Sequence, residues 1–288
     1  MPAASTELRD ALGTFHVPTE GTLRIVSLVP SLTELLCDLG LADNIVGRSG
    51  FCIHPRETVK RIPKMGGTKD ADIEKIRAAA PTHLVVNIDE NRREQVGELA
   101  RFIPHVIVTH PNTPEDNLEL FRLFGGLFRC EAQAEQLAAD FRAAREELRR
   151  AVEYLPRQRV GYLIWKDPWM TVARDTYISA MLAAAGWDTL PEASEARYPE
   201  VDAVLQGLTF SSGITPASRA LASSETRGRF ADRVLLSTEP YRFTEKHLAE
   251  AAACFGAPAQ LIDGEMVSWY GSRAAAGLRY LAQLRQAC

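Results

Sequence analysis

Apolar runs of strand length alternate along the chain with stretches of helical period. Residues 23–29 (LRIVSLV) form a continuous apolar run suited to a strand buried on both faces. Pro30 ends it, and Ser31-Leu-Thr-Glu34 reads as a capping box opening a helix that runs to Gly40. A short apolar piece at 44–47 follows, then an irregular segment rich in Gly, Pro and polar residues. A short helix at 72–79 leads into a strand at 83–88 (HLVVNI). Asp89-Glu90-Asn91 breaks that strand, and Asn91 with Glu94 is placed to cap the next helix, to about Phe102. Residues 105–109 (HVIVT) predict a third strand, and Thr113-Pro114 starts another helix with Pro at its favoured first position.

No Pro or Gly interrupts the chain between Gly126 and Pro156, and residues 131–155 are dominated by good helix formers. Leu137, Phe141, Ala144, Leu148, Val152 and Leu155 recur at three- and four-residue steps as one apolar stripe. At about 1.5 Å per residue the spacing predicts a helix roughly 35–40 Å long. Such a helix is either a core element of one large domain or a strut between two. Beyond it the alternation resumes, with strands at 159–165, 187–190, 233–237 and 260–262 and helices at 175–185, 245–255 and 272–286. Residues 201–231 show no clean period. The alternation on both sides implies βαβ units, parallel sheets and an α/β fold, and favours the strut.

Composition narrows the function classes. With 288 residues, 46% hydrophobic and 24% charged, the chain can bury one large core or two ordinary ones, as soluble globular proteins do. A net charge of −4 argues against a nucleic-acid partner. The five Cys form no CxxC pair and are odd in number, so no disulfide framework is expected. The first 22 residues hold no apolar run of signal-peptide or membrane length. As it stands the sequence therefore reads as a cytoplasmic, monomeric protein with no membrane insertion.

In doubly wound sheets ligands bind beyond the carboxyl ends of the strands, and the unusual residues of this chain fall there. They are Phe51, Cys52 and His54 in the first half, then Asn87, Asp89 and Glu90. In the second half come Trp165 and Trp169, Glu239 and Tyr241, and Glu265, Trp269 and Tyr270. Rings beside a few polar groups suit a small-molecule pocket. Plainer readings stand beside this one: Trp165 as the end of a buried strand, Asp89-Glu90 as a solvated turn, Cys37 as core. Cys52 and His54 are candidate metal ligands that lack a third at ligand spacing. Gly66-Gly67-Thr68-Lys69 lacks the spacing of a phosphate loop, and no nucleophile-elbow, zinc-protease or dinucleotide motif is present.

The stretches RIVSLVPSLTELL and GGTKDADIEKIRAAAPTHLVVNIDENRRE resemble the amino-terminal lobe of iron/cobalamin-type (class III) periplasmic solute-binding proteins. IWKDPWMTVARDTYISAMLAAAGW, RYPEVD, VLLSTEPYRF and DGEMVSWYGSR resemble the branch called helical-backbone metal receptors. The likeness covers about residues 24–284, without roughly 203–232. It implies two Rossmann-like lobes, 23–129 and 157–288, joined by one long helix at 130–156 and preceded by an extension, 1–22. Ligand is held in the interlobe cleft, with no cofactor required and no chemistry performed. Family members capture cobalamin, haem or ferric siderophores for ABC importers, and are periplasmic, which holds here if an export signal was lost or missed.

By position in the family, Phe51 and His54 occupy a loop that supplies aromatic ligand contacts. Trp169, Tyr198 and the Trp269–Tyr270 pair fall on the corresponding second-lobe loops. Arg174, Arg197 and Arg273 are placed to meet acidic groups of the ligand. Glu74, in ADIEKI, matches the first-lobe carboxylate that docks on the transporter. The second-lobe docking position has no match, because a longer segment, 203–232, stands there. Two rivals remain: a cytosolic relative that stores or senses such a ligand or binds free metal through Cys52 and His54, and an enzyme using Glu90, Glu239 or Glu265 as general acid or base.

Overall fold

The computed structural model describes residues 7–202 and 230–287. The chain divides into two units. Unit 1 holds the chain up to Pro111, Glu115–Ala143 and Trp269–Ala275; unit 2 holds Asn112–Pro114, Ala144–Ser268 and the chain from Ala276 onward.

In unit 1 a hairpin of β1 (Leu8–Arg9) and β2 (Phe15–His16) precedes a parallel sheet of β3 (Ile25–Ser27), β4 (Ile45–Arg48), β5 (His83–Asn87) and β6 (His105–Thr109). The sheet order is β4-β3-β5-β6, so the chain leaves β3 toward one edge and returns on its other side at β5. Val26, Leu28, Leu84 and Val86 pack with Ile76, Leu99 and Ile103 in the core over this sheet.

The helices of unit 1 are α1 (Pro30–Asp38), α2 (Arg56–Val59), α3 (Ile73–Ala78), α4 (Arg93–Leu99) and α5 (Asp116–Phe128). Asp72 caps α3, accepting the Lys75 amide at 3.0 Å. Three expected helix starts are corrected. α1 opens on Pro30 after Val29, with no side-chain cap, so Ser31–Glu34 is not a capping box. α4 begins after Arg92, because the Asn91 carboxamide instead accepts the Asn87 amide at 2.9 Å and donates to the Thr68 carbonyl at 2.8 Å. α5 begins at Asp116, past Pro114.

The N-terminal segment is part of unit 1's packing. Asp10, 8% exposed, accepts the amides of Leu12 and Thr14 at 2.9 Å and that of Val108 at 3.2 Å, and pairs with His16 at 3.2 Å. Thr19 meets the buried His83, which also contacts the Thr82 hydroxyl at 2.8 Å and stacks on His105 at 4.7 Å. Burial first, then the neighbouring imidazoles of His105 and His16, hold the His83 pKa down to about 4 against an ordinary 6.5. The unfolded chain therefore binds this proton near pH 6.5 and the folded one only near 4, so the contribution is complete above 6.5 and lost as pH falls toward 4. Urea unfolding is expected to show a loss of about 2 kcal/mol between pH 7 and 4.5 from this group. His83→Gln should flatten that part of the profile; an unchanged slope would contradict it.

The long helix is α6 (Glu131–Val152), whose 22 residues span about 33 Å. The boundary between the two units falls inside it, between Ala143 and Ala144. Its buried positions are Ala134, Ala138, Phe141, Ala144 and Leu148, while Leu137, Val152 and Leu155 are only half-buried. The stripe is displaced onto the alanines where α5 comes close: a Cβ on Gly125 would sit 2.6 Å from the Ala134 Cβ.

Unit 2 holds a second parallel sheet, β10-β9-β7-β8, built from β7 (Gln158–Leu163), β8 (Trp187–Thr189), β9 (Arg233–Ser237) and β10 (Ala259–Ile262). Here too the chain switches sides, between β7 and β9. Leu163, Val234, Leu236, Phe243, Ala251 and Phe255 share its core. Gly161 lets the Phe255 ring lie on the sheet, since a Cβ there would stand 2.9 Å from that ring. The helices are α7 (Tyr177–Ala184), Leu248–Phe255 after a 3₁₀ turn, Gly264–Ser268, and Arg273–Gln286, which starts among residues grouped with unit 1. Most of the segment that showed no period, residues 203–229, lies outside the described residues.

Candidate functional site

Each sheet has a switch point, β3/β5 in unit 1 and β7/β9 in unit 2, and the carboxyl ends of strands at such points are where open α/β sheets take ligands. Asn87 at the end of β5 and Glu90 just after it stand at the first of these places, Trp165, Trp169, Glu239 and Tyr241 follow β7 and β9 at the second, and Phe51, Cys52 and His54 follow the edge strand β4.

In unit 1 the loop after β4 carries Phe51, 63% exposed, and Ile53, 49% exposed, with the half-buried His54 behind them. Cys52 points the other way: it is buried, within 3.0 Å of the Thr33 hydroxyl and 3.2 Å of the Ser49 hydroxyl. Burial pushes its thiol up, away from the thiolate a metal needs. Among the described residues no group of three or more His, Cys, Asp and Glu stands together as a metal site. Asn87, also buried, builds the turn after β5, its side-chain oxygen accepting the Asp89 amide at 2.8 Å.

The Trp269–Tyr270 pair, expected on loops of the second lobe, packs in unit 1 instead. The Tyr270 hydroxyl donates to Glu90 at 2.7 Å, and burial first, then the Glu90 carboxylate, push this phenol well above its usual range. The Gly271 amide donates to the buried Asn117 at 2.6 Å. Gly271 has φ +86°, and a Cβ there would press on Leu35 at 3.2 Å, so this close approach to α1 requires glycine.

In unit 2 the loops after β7 and β9 bring Trp165, Trp169 and Tyr241 together with two rings the sequence reading missed, Phe243 and His247. Trp165, 42% exposed, meets Tyr241 edge-on at 5.6 Å. Tyr241 lies 4.6 Å from Phe243, which stacks on Trp169 at 5.5 Å with planes 2° apart. His247 closes the group edge-on to Tyr241 and Phe243. Lys166 stands 4.5 Å from the Trp169 ring centre and is tied to Glu250 at 2.5 Å. The i, i+2 spacing of Tyr241 and Phe243 just past a strand was the available signal for the missed ring. Glu239 accepts the Ser268 hydroxyl at 2.5 Å, and the Glu265 amide donates to Asp263 at 3.1 Å. Tyr198 is 37% exposed.

The three arginines expected to meet acidic groups of a ligand each face a carboxylate of this chain. Arg174 lies 3.7 Å from Glu192, Arg197 lies 3.3 Å from Asp175, and Arg273 lies 2.6 Å from Glu34. Glu74 is exposed on α3, 3.6 Å from Arg77. A separate groove of about 570 Å³ in unit 1, between Leu8, Phe121 and Ala138, is lined by none of the predicted site residues. No helix among the described residues is long and apolar enough to cross a membrane.

The family profile described as "Periplasmic binding protein" matches residues 25–203. The vitamin B12-binding protein of Vibrio vulnificus (strain CMCP6) is 24% identical over 181 residues, 62% of this chain and 65% of that relative, so the match spans just under two thirds of the relative's length. The crystal structure of the periplasmic vitamin B12 binding protein BtuF of Vibrio cholerae is similar with a TM-score of 0.71 at 16% identity, covering 91% of this chain and 97% of that one. The periplasmic heme-binding protein RhuT from Roseiflexus sp. RS-1, in apo form, gives a TM-score of 0.72 at 20% identity, covering 93% and 99%. At these identities the structural likeness is one of fold.

Proposed function

The chain belongs to the periplasmic binding protein family, and we propose that it is a solute-binding protein for a bulky ring-bearing metal complex of the cobalamin, haem or ferric-siderophore kind, serving an ABC importer. The observation that carries this reading is a pair of exposed apolar surfaces at the carboxyl ends of parallel strands: Phe51 with Ile53 after β4 in unit 1, and Trp165 with Tyr241 after β7 and β9 in unit 2. Flat apolar area at the carboxyl ends of strands is what a macrocycle or aromatic chelate buries on binding. Relatives and solved neighbours named for vitamin B12 and heme support this ligand class. Proteins of this family bind solutes and are not enzymes, so Glu90, Glu239 and Glu265 serve here as orienting groups. Glu74 is the surface carboxylate through which unit 1 would meet a transporter.

A ligand that binds only the folded state raises stability by about 2.7 kcal/mol when present at 100 times its Kd. Melting temperature is therefore expected to rise by several degrees with at least one of cyanocobalamin, haemin and a ferric siderophore. No shift with any of the three would overturn the proposal.

A further inference from the structure

Glu34, His54, Trp269 and Arg273, from three separate stretches of the chain, form one column in unit 1. Nε and Nη2 on one edge of the Arg273 guanidinium donate to the two oxygens of the Glu34 carboxylate, at 2.8 and 2.6 Å. The same guanidinium stands 4.8 Å from the centre of the Trp269 ring. Trp269 and His54 in turn meet edge to face, with centroids 5.5 Å apart and planes at 73°. His54 belongs to the loop that exposes Phe51. We propose that Glu34 is a positioning residue for ligand: through Arg273 it fixes the indole of Trp269, and through that indole the imidazole of His54. The inference rests on the reading that the Phe51–His54 loop meets ligand.

The physics favours positioning over simple stabilisation. A two-point carboxylate–guanidinium pair removes rotation from a planar cation, and a planar cation over an indole face fixes the indole in turn. The pair is mostly out of water, its side chains 12% and 14% exposed, so Arg273 without its counter-charge would turn toward solvent and leave the ring. The main chain of this segment has separate anchors, Tyr270 on Glu90 and Gly271 on Asn117. Loss of Glu34 therefore loosens the side-chain column and leaves the segment docked. Nothing in the sequence around Glu34 reveals this role, because its partner follows 239 residues later.

The test compares the full-length wild type with Glu34→Gln, Trp269→Ala and the charge swap Glu34→Arg with Arg273→Glu. The His54 ring resonances, identified by their loss in His54→Gln, report on the column without any ligand. In Glu34→Gln they are expected to move toward their positions in Trp269→Ala. Affinity for whichever of cyanocobalamin and haemin the wild type binds is expected to fall about tenfold. The charge swap restores an ion pair but puts a carboxylate against the indole. It should recover melting temperature without recovering the His54 resonances or the affinity. Wild-type resonances in Glu34→Gln, or full affinity in the swap, would overturn the proposal. If the wild type binds neither probe, the reading of the loop as a site for these ligands falls, and the His54 resonances alone decide whether Glu34 sets the column.

Discussion

Replacing Ala144 with proline is expected to destabilise the protein by about 3 kcal/mol or more. Ala144 is fully buried in the middle of α6, with Phe141 and Leu148 on the same buried face. Proline removes the amide that closes the helical turn onto residue 140 and drives its ring into the carbonyl there. Urea unfolding measures the effect. Proline at this position with a change under about 0.5 kcal/mol, the size of an ordinary surface substitution, would mean that α6 is not a continuous core element.

The second large effect is expected at Phe243. Its ring is 2% exposed and touches Trp169, Tyr241 and His247, so Phe243→Ala leaves a cavity beneath the whole aromatic group of unit 2. Burial and cavity terms together put the loss at about 3–5 kcal/mol, and Trp165 and Tyr241, no longer backed, should bind ligand more weakly. Phe51→Ala is the contrasting case. That ring is 63% exposed, so stability should change by no more than about 0.5 kcal/mol while affinity falls. If Phe243→Ala melted like the wild type, the rings would not form the packed group described here.

The strands were legible because parallel strands covered on both faces have continuously apolar centres, and 84–86, 106–108 and 234–236 are such runs. The long helix was legible because nothing in it breaks a helix, although the stripe shifted to Ala134 and Ala138, whose smallness matters only once Gly125 is known to lie against them. The cap of α1 was misread because its polar side chains have other partners. The Thr33 hydroxyl goes to the Val29 carbonyl at 2.9 Å and the Ser27 hydroxyl at 2.8 Å, and Glu34 goes to Arg273. A local pattern cannot register a partner more than two hundred residues away. The β1–β2 hairpin was invisible for a different reason: its strands are two residues each, too short to show alternation.

The site divides in the same way. Phe51, Trp165, Trp169 and Tyr241 could be picked from strand ends alone, because position past a parallel strand is a local property. Trp269, Tyr270 and Arg273 could not be assigned to unit 1 from sequence, since they follow β10 and the helix Gly264–Ser268 of unit 2 in the chain. That the arginines face Glu192, Asp175 and Glu34 is not evident from spacing.

Capture of a ring-bearing metal complex on the exposed aromatic surfaces is read out by titrating the protein's tryptophan fluorescence with cyanocobalamin, haemin and a ferric siderophore. Trp165, at 42% exposure beside Tyr241, is the expected reporter. One of the three should quench saturably with one-to-one stoichiometry, and Phe51→Ala should weaken that binding about tenfold without lowering the melting temperature. Quenching that rises linearly and never saturates for all three ligands would contradict the claim.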